Sequence, residues 1–393
     1  MLHLGFFQTL FPERMQRQVK ELFISSVLVN FALALVMLWE PVYLYQINYP
    51  LQKIILFYLL TYLGYMLTMP LGAKFAKRYG YEPSIAIGVC LFAFYYLGLY
   101  LIKDYPFLFY VVPFIFTWQK TFYWPAYHAN FARFSEAKEE GREVGVMTVI
   151  TSVVYIIGPA LAGFIIAQFG YAALFIFAAV VFFASNIPMM ITKESFTPEG
   201  FSFTIVYKQL VSKINRKSLL AYLGFGEEFI VLAIWPIFIS LIITNVFDMG
   251  VVVALATLVT TVITLYVGKL SDRGQDHRIL SLSSAFYSLS WFIRIFVNSA
   301  TGVFFLDTLS RLGKNTISVP LTAITYERAK SVKPDQHRHI MSNVLFFEMS
   351  LVVGKLLAII LIYLALFFVA DNILAFKITF ILAGAMSLLY MLL

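Results

Sequence analysis

Long apolar stretches separated by short polar ones run the length of this chain. They fall at about 22–45, 53–73, 84–102, 106–132, 145–168 and 171–191. A second set falls at about 219–243, 250–268, 279–297, 302–326, 341–368 and 373–393. A bilayer core of about 30 Å takes roughly 20 residues of helix to cross, and each run meets that length. The runs are continuously apolar and too long for tilted strands, so the pattern predicts helices rather than a barrel. The expected fold class is an all-α integral membrane protein with twelve transmembrane helices.

Composition agrees. Hydrophobic residues make up 61% of the 393 positions and charged residues 13%. Soluble domains sit near half apolar and a quarter charged, so lipid is the expected main solvent. The net charge of +8 does not point to nucleic acid, because its Lys and Arg residues cluster between the apolar runs. With the N-terminus in the cytoplasm, Lys53, Lys103 and Lys377 are the three at external ends. Five lie within runs, which leaves 21 of the 29 in cytoplasmic segments. The opposite orientation would break the positive-inside rule at nearly every loop, so both termini are expected in the cytoplasm of a cell membrane protein. Cys90 sits alone inside an apolar run, with no CxxC pair or disulfide framework.

Two polar segments carry structure of their own. Leu2, Phe6, Phe7, Leu10 and Phe11 precede Arg14, Arg17 and Lys20, a short amphipathic segment expected on the membrane surface and unlike a cleaved leader. The stretch 192–218 places Phe203, Val206, Tyr207, Leu210, Val211 and Ile214 on one helical stripe among basic residues. It reads as an interfacial helix joining residues 1–191 to 219–393.

Those two parts repeat. A shift of 195 lays Pro41 on Pro236, Pro125 on Pro320 and Arg133 on Arg328. Trp39 and Trp235 miss the register by one. The predicted architecture is therefore two pseudo-symmetric six-helix bundles, a build suited to rocking about a shared site.

The segment Ala73-Lys-Phe-Ala-Lys-Arg78, followed by Gly80, and its counterpart Gly268-Lys-Leu-Ser-Asp272-Arg273 resemble the GxLaDRxG loop of the major facilitator superfamily. Gly158-Pro159-Ala-Leu-Ala-Gly163 resembles the GPxxGG motif of its proton-coupled efflux members. Arg142, in the stretch after Pro125, is similar to that family's loop between spans four and five. The resemblance covers essentially the whole chain. It departs at Ala73, Lys77, Ala162 and Gln275, where the family pattern has Gly, Asp, Gly and Gly. It implies that Arg78, Gly80, Gly268, Asp272, Arg273, Gly158, Pro159 and Gly163 serve conformational change. An Asp-based latch between the halves is then expected at Asp272, and Lys77 argues against one in the first loop. The resemblance also implies that spans one, four, seven and ten surround a central cavity.

Charges inside the apolar runs are costly and mark function. The bases are Lys120, Arg294, Arg311, Lys314 and Lys355, and the acids Glu40, Glu227, Glu228, Asp307 and Glu348. Asp307, Arg311 and Lys314 share one helical face. The 195 shift lays Lys314 on Gln119, so polar groups of the two halves are expected at matching depths. Lys120, Arg311, Lys314, Gln119 and Trp118 are the candidate substrate-binding residues. A purely structural network, with Asp307 neutralising Arg311, is the rival reading. The five acids are candidate proton carriers, because burial favours the protonated carboxyl. Only one of the adjacent Glu227 and Glu228 is expected to face the cavity. Arg294 reads as a residue snorkelling to the external surface. The aromatic residues are expected mostly at lipid-facing and interfacial positions. Trp118, Tyr123, Trp124 and Tyr127 are available to stack on an organic substrate. His128 has no ligand-spaced partner, so no metal is expected.

The leading functional expectation is a secondary active transporter moving a small organic solute by alternating access, as a proton-coupled efflux antiporter. A uniporter or symporter for an organic anion is the alternative. A membrane-embedded enzyme or transporter-like sensor is the reading from another class. HExxH, GxSxG and the Walker sequence GxxxxGK[ST] are all missing from the chain, and a sensor would call for an appended soluble domain. The expected partners are the substrate, protons and the lipid bilayer, with no nucleic acid and no cofactor. A monomer is expected.

Overall fold

The computed structural model describes residues 17–134, 140–191, 196, 198, 201–268, 276–330, 340–369 and 371–393. Among these residues every regular element is helical. The first part contains α1 (Arg17–Val36), α2 (Trp39–Gln46), α3 (Leu51–Tyr79), α4 (Tyr81–Leu101), α5 (Leu108–Phe134) and α6 (Glu140–Ser185). The short α7 (Phe203–Val211) and α8 (Arg216–Tyr222) follow. The second part contains α9 (Trp235–Ile242), α10 (Val246–Gly268), α11 (Asp276–Ile293), α12 (Ala300–Lys330), α13 (Ile340–Phe368) and α14 (Asn372–Ser387).

Nine helical segments of the described residues are long and apolar enough to cross a membrane. The chain is a multi-pass membrane protein. Helices α5 and α12 are as long, at 27 and 31 residues, and carry several polar residues. Helix α6 runs for 46 residues. At 1.5 Å per residue that is about 69 Å, over twice the bilayer core. It is broken at Gly170, whose φ of 78° and ψ of 175° lie outside helical space. Only glycine takes such a conformation without strain.

Prolines shape two further breaks. Pro41 has no N–H for the carbonyl of Met37, four residues back, and the helix turns at Met37 and Leu38 between α1 and α2. Pro236 stands four residues after Leu232, inside a π turn spanning Ile230–Ile234. A 3₁₀ turn, Leu223–Gly226, comes just before it, with Glu227–Phe229 between the two.

Helix α1 packs on α6, and α5 packs on both α3 and α4. In the second part α12 packs on α10 and α11, and α11 packs on α14. Contacts between the parts run through α6 with α10, α3 with α13, and α2 with α9. Glycines let α6 approach both α1 and α10 closely. A Cβ on Gly158 would lie 2.6 Å from the Ala34 Cβ of α1, and one on Gly163 would lie 2.7 Å from the Val246 carbonyl oxygen. Neither distance is one that a real side chain can hold. On the facing helix, Gly250 meets the Pro159 carbonyl in the same way. Ala162 is fully buried beside them.

The outer surface is apolar. Leu67, Met190, Phe367 and Phe368 are all at least 70% exposed, as suits side chains whose solvent is lipid. Aromatic residues do not follow the sequence expectation. Trp39, Trp291, Tyr58, Tyr65, Tyr95 and Tyr96 are among the largest fully buried side chains. The hydroxyls of Tyr58, Tyr65 and Tyr96 donate to buried carboxylates, bonds that lipid could not accept. On α7, Val206 is buried while Val211 is exposed, and Gln209 donates to Asn343 at 2.9 Å. The N-terminal amphipathic segment lies outside the described residues up to Arg17.

Candidate functional site

Four residues of α5 at intervals of four, Phe116, Lys120, Trp124 and His128, stand on one wall of a cavity of about 580 Å³. That spacing is one helical stripe. Facing helices add Asp307, Ser310, Arg311, Lys314 and Asn315 from α12, and Glu348 and Lys355 from α13. Glu40, Glu227, Glu228 and Arg294 complete the charged set. All ten span charges read from the sequence therefore line a single cavity. Leu33, Met37, Val231, Leu232, Leu351 and Val352 supply apolar wall between them. A smaller hollow of about 330 Å³, lined by Thr151, Ser152, Thr257, Thr260 and Thr261, shares Tyr155, Arg311 and Asn315 with the main cavity.

The charges are paired on the α12 side. Arg311 Nε donates to Asp307 at 2.6 Å, one turn away on the same helix. Arg294 reaches the other Asp307 oxygen at 3.4 Å, and Trp235 Nε1 donates to that oxygen at 3.0 Å. The Arg294 guanidinium lies between two indole rings, 3.9 Å from the centroids of Trp235 and Trp291. Lys314 bridges both adjacent acids, at 2.5 Å to Glu227 and 3.1 Å to Glu228. Tyr287 and Tyr390 donate to Glu227 at 2.6 and 3.1 Å, and Lys355 holds Glu228 at 2.9 Å.

On the α5 side the pattern differs. Glu40 accepts from the hydroxyls of Tyr58 at 2.8 Å and Tyr96 at 3.0 Å. Lys120 is 8% exposed and its Nζ rests over the rings of Phe116 at 4.1 Å and Tyr62 at 5.2 Å. Among the described residues no carboxylate lies within ion-pairing distance of it. Glu348 joins the two parts of the chain: Tyr65 of α3 donates to it at 2.8 Å, and His128 of α5 stands 3.1 Å away.

The sequence profile of the Major Facilitator Superfamily matches residues 22–343. This chain belongs to that superfamily. No curated protein matches it. Members of the superfamily are transporters that bind small molecules within the bilayer, so this chain is a membrane transporter.

Several sequence expectations need correction within this transporter. Trp118 is 39% exposed and stacks on Phe122 outside the cavity. Two residues along a helix turn a side chain by about 200°, away from the Lys120 stripe. Gln119 is fully buried off the cavity wall, with neither amide atom hydrogen-bonded. Its register partner Lys314 therefore does not mirror it on the wall; Asn315, the counterpart of Lys120, does. Arg294 does not snorkel: it is 2% exposed and held by Asp307 and two indoles. Glu227 and Glu228 both face the cavity, because the helix changes winding around them and one ammonium reaches both. Of the aromatics flanking Lys120, Trp124 lines the cavity, whereas Tyr123 is buried and stacked on Tyr127.

In the motif loops, Gly80 has φ of 114°, which favours glycine, and Arg78 lies over the Tyr79 ring at 5.3 Å. Lys77 is buried. Gly268 ends α10, and Asp272 and Arg273 lie outside the described residues. Reasoning from charge missed the tyrosines that hold the acids. Tyr58, Tyr62 and Tyr65 recur at i, i+4 and i+7, a polar-tipped stripe that was open to reading.

Proposed function

We propose that this transporter is a secondary active carrier that moves a small organic solute through the cavity by alternating access, coupled to protons and exporting its substrate. The observation that carries the reading is the convergence of ten span charges from both parts of the chain on one cavity. A passive pore or a scaffold would have no use for so many costly buried charges. Glu348 is the best-supported coupling acid, because its partners Tyr65 and His128 sit on helices that would move away in a rocking motion. Arg311 and Lys120 present charge to the solute in this reading, and Lys314 and Lys355 chiefly neutralise acids.

The proposed topology is twelve spans. It adds α5 and α12 to the nine segments and divides α6 at Gly170. Residues 1–191 and 219–393 would form the two halves, joined by 192–218, with both termini in the cytoplasm. The proline-linked breaks near Met37 and Leu232, 195 residues apart, support the repeat. Asp272 is proposed to stabilise one access state from the loop after α10.

The test is proton movement in liposomes holding the purified chain. Organic solutes added in turn should drive movement of a trapped pH-sensitive dye, and Glu348→Gln should abolish it. Solute flux that ignores an imposed proton gradient would overturn coupling. It would favour the second reading, a uniporter for an organic anion, which the uncompensated Lys120 supports.

A further inference from the structure

Burying a lone ammonium is costly unless a carboxylate or hydrogen-bond acceptors meet it. Four of the five span bases satisfy this requirement within the protein: Arg294 and Arg311 on Asp307, Lys314 on Glu227 and Glu228, Lys355 on Glu228. Lys120 does not. Its surroundings are ring faces, whose attraction for a cation is about 0.5–2 kcal/mol. Glu40 lines the same cavity, but it accepts from the Tyr58 and Tyr96 hydroxyls and forms no ion pair with Lys120. The counter-ion of Lys120 is therefore best supplied from the cavity.

We infer that Lys120 and its aromatic neighbours form a subsite for an organic monocarboxylate with a flat, apolar body. The inference rests on the transport reading and names its substrate class. The acid group would pair with Lys120 Nζ. One turn along the same face, about 6 Å away, Trp124 offers a ring for the body of the molecule, and Tyr62 and Phe116 frame the acid end. A monoanion fits better than a doubly charged phosphate, because the other cation most open to the cavity, Arg311, is already engaged by Asp307. Leu33, Met37 and Leu351 add apolar wall for the body of the molecule.

The experiment is calorimetric titration of the purified full chain in detergent. Its probes are benzoate, 2-naphthoate and indole-3-acetate, each against its primary amide. At least one acid should bind roughly 10-fold or more tightly than its amide, the range expected for a hydrogen bond to a charged group. Lys120→Gln should erase the preference and Lys120→Arg should keep it. Trp124→Leu should weaken acid and amide alike. Equal binding of all three acids and their amides, or no binding of any, overturns the inference. A preference that survives in folded Lys120→Gln also overturns it. Should that variant not fold, the acid-to-amide ratio of the unaltered chain with Lys120→Arg decides. Solute-driven proton movement without an acid preference sinks this inference alone. An acid preference without any flux counts against the transport reading and leaves the subsite standing.

Discussion

The two sides of the cavity solve the same electrostatic problem differently. On the α12 side, the charges meet in two clusters, Asp307 with Arg294 and Arg311, and Glu227 and Glu228 with Lys314 and Lys355. The positions 195 residues earlier than Glu227, Asp307 and Arg311 are Ala32, Val112 and Phe116. In the proposed register the α5 side carries apolar and aromatic groups at these positions, with Lys120 over rings and Glu40 among tyrosine hydroxyls. Mutual pairing holds structure whether or not a solute is present. A cation without a carboxylate gains most when a solute brings one. The proposed repeat would let the two halves divide the work, with one side built for integrity and the other left open to binding.

Substitutions that leave a buried charge alone should separate these roles most sharply. Lys314→Met strands Glu227 with only hydroxyl donors. It should lower stability by about 3–5 kcal/mol, read as unfolding of the purified protein in detergent. A loss under about 1 kcal/mol would mean that pairing is not what holds this side. Next in size, Tyr58→Phe removes one of two donors to Glu40 and should cost about 1–3 kcal/mol by the same measurement. Tyr58→Phe without effect would show Glu40 to be satisfied by other means.

Arg294→Lys keeps the charge but loses the planar group lying between Trp235 and Trp291. A loss of about 1–2 kcal/mol is expected, smaller than removal of the cation. Equality with Arg294→Leu would reduce the site to stacking alone. The smallest stability change belongs to Lys120→Met, within about 1 kcal/mol of zero. It exchanges a weak ring attraction for relief of a buried charge. A loss as large as that of Lys314→Met would reveal a counter-ion for Lys120 inside the protein and end the contrast between the two sides.

Much of this was legible from residue order, for reasons that particular residues make plain. Lys120 and Asp307 stood out because a charge amid apolar neighbours has few tolerable places in a membrane. Phe116, Lys120, Trp124 and His128 share a face by helical arithmetic alone. Arg294 was misread because hydropathy reports distance from a span end, whereas Trp235 and Trp291, which enclose it, are separated by 56 positions of chain. Trp118 was drawn in by sequence proximity to Lys120, although two helical steps turn it outward. Glu227 and Glu228 were judged by ideal helix geometry, and the chain abandons that geometry around them.

What the sequence determined by itself is the solvent, the helical state and the superfamily. Solvent and helical state follow from local quantities: run lengths suited to a bilayer, and backbone groups that lipid obliges to bond within their own helix. The family rests on motifs and on the profile match. What only the tertiary structure decided is which charge meets which. Lys314 with Glu227, His128 with Glu348, and Lys120 with no carboxylate among the described residues depend on helices distant in sequence packing side by side. Coulomb attraction reads separation in space, and one turn of any of these helices could have redirected it.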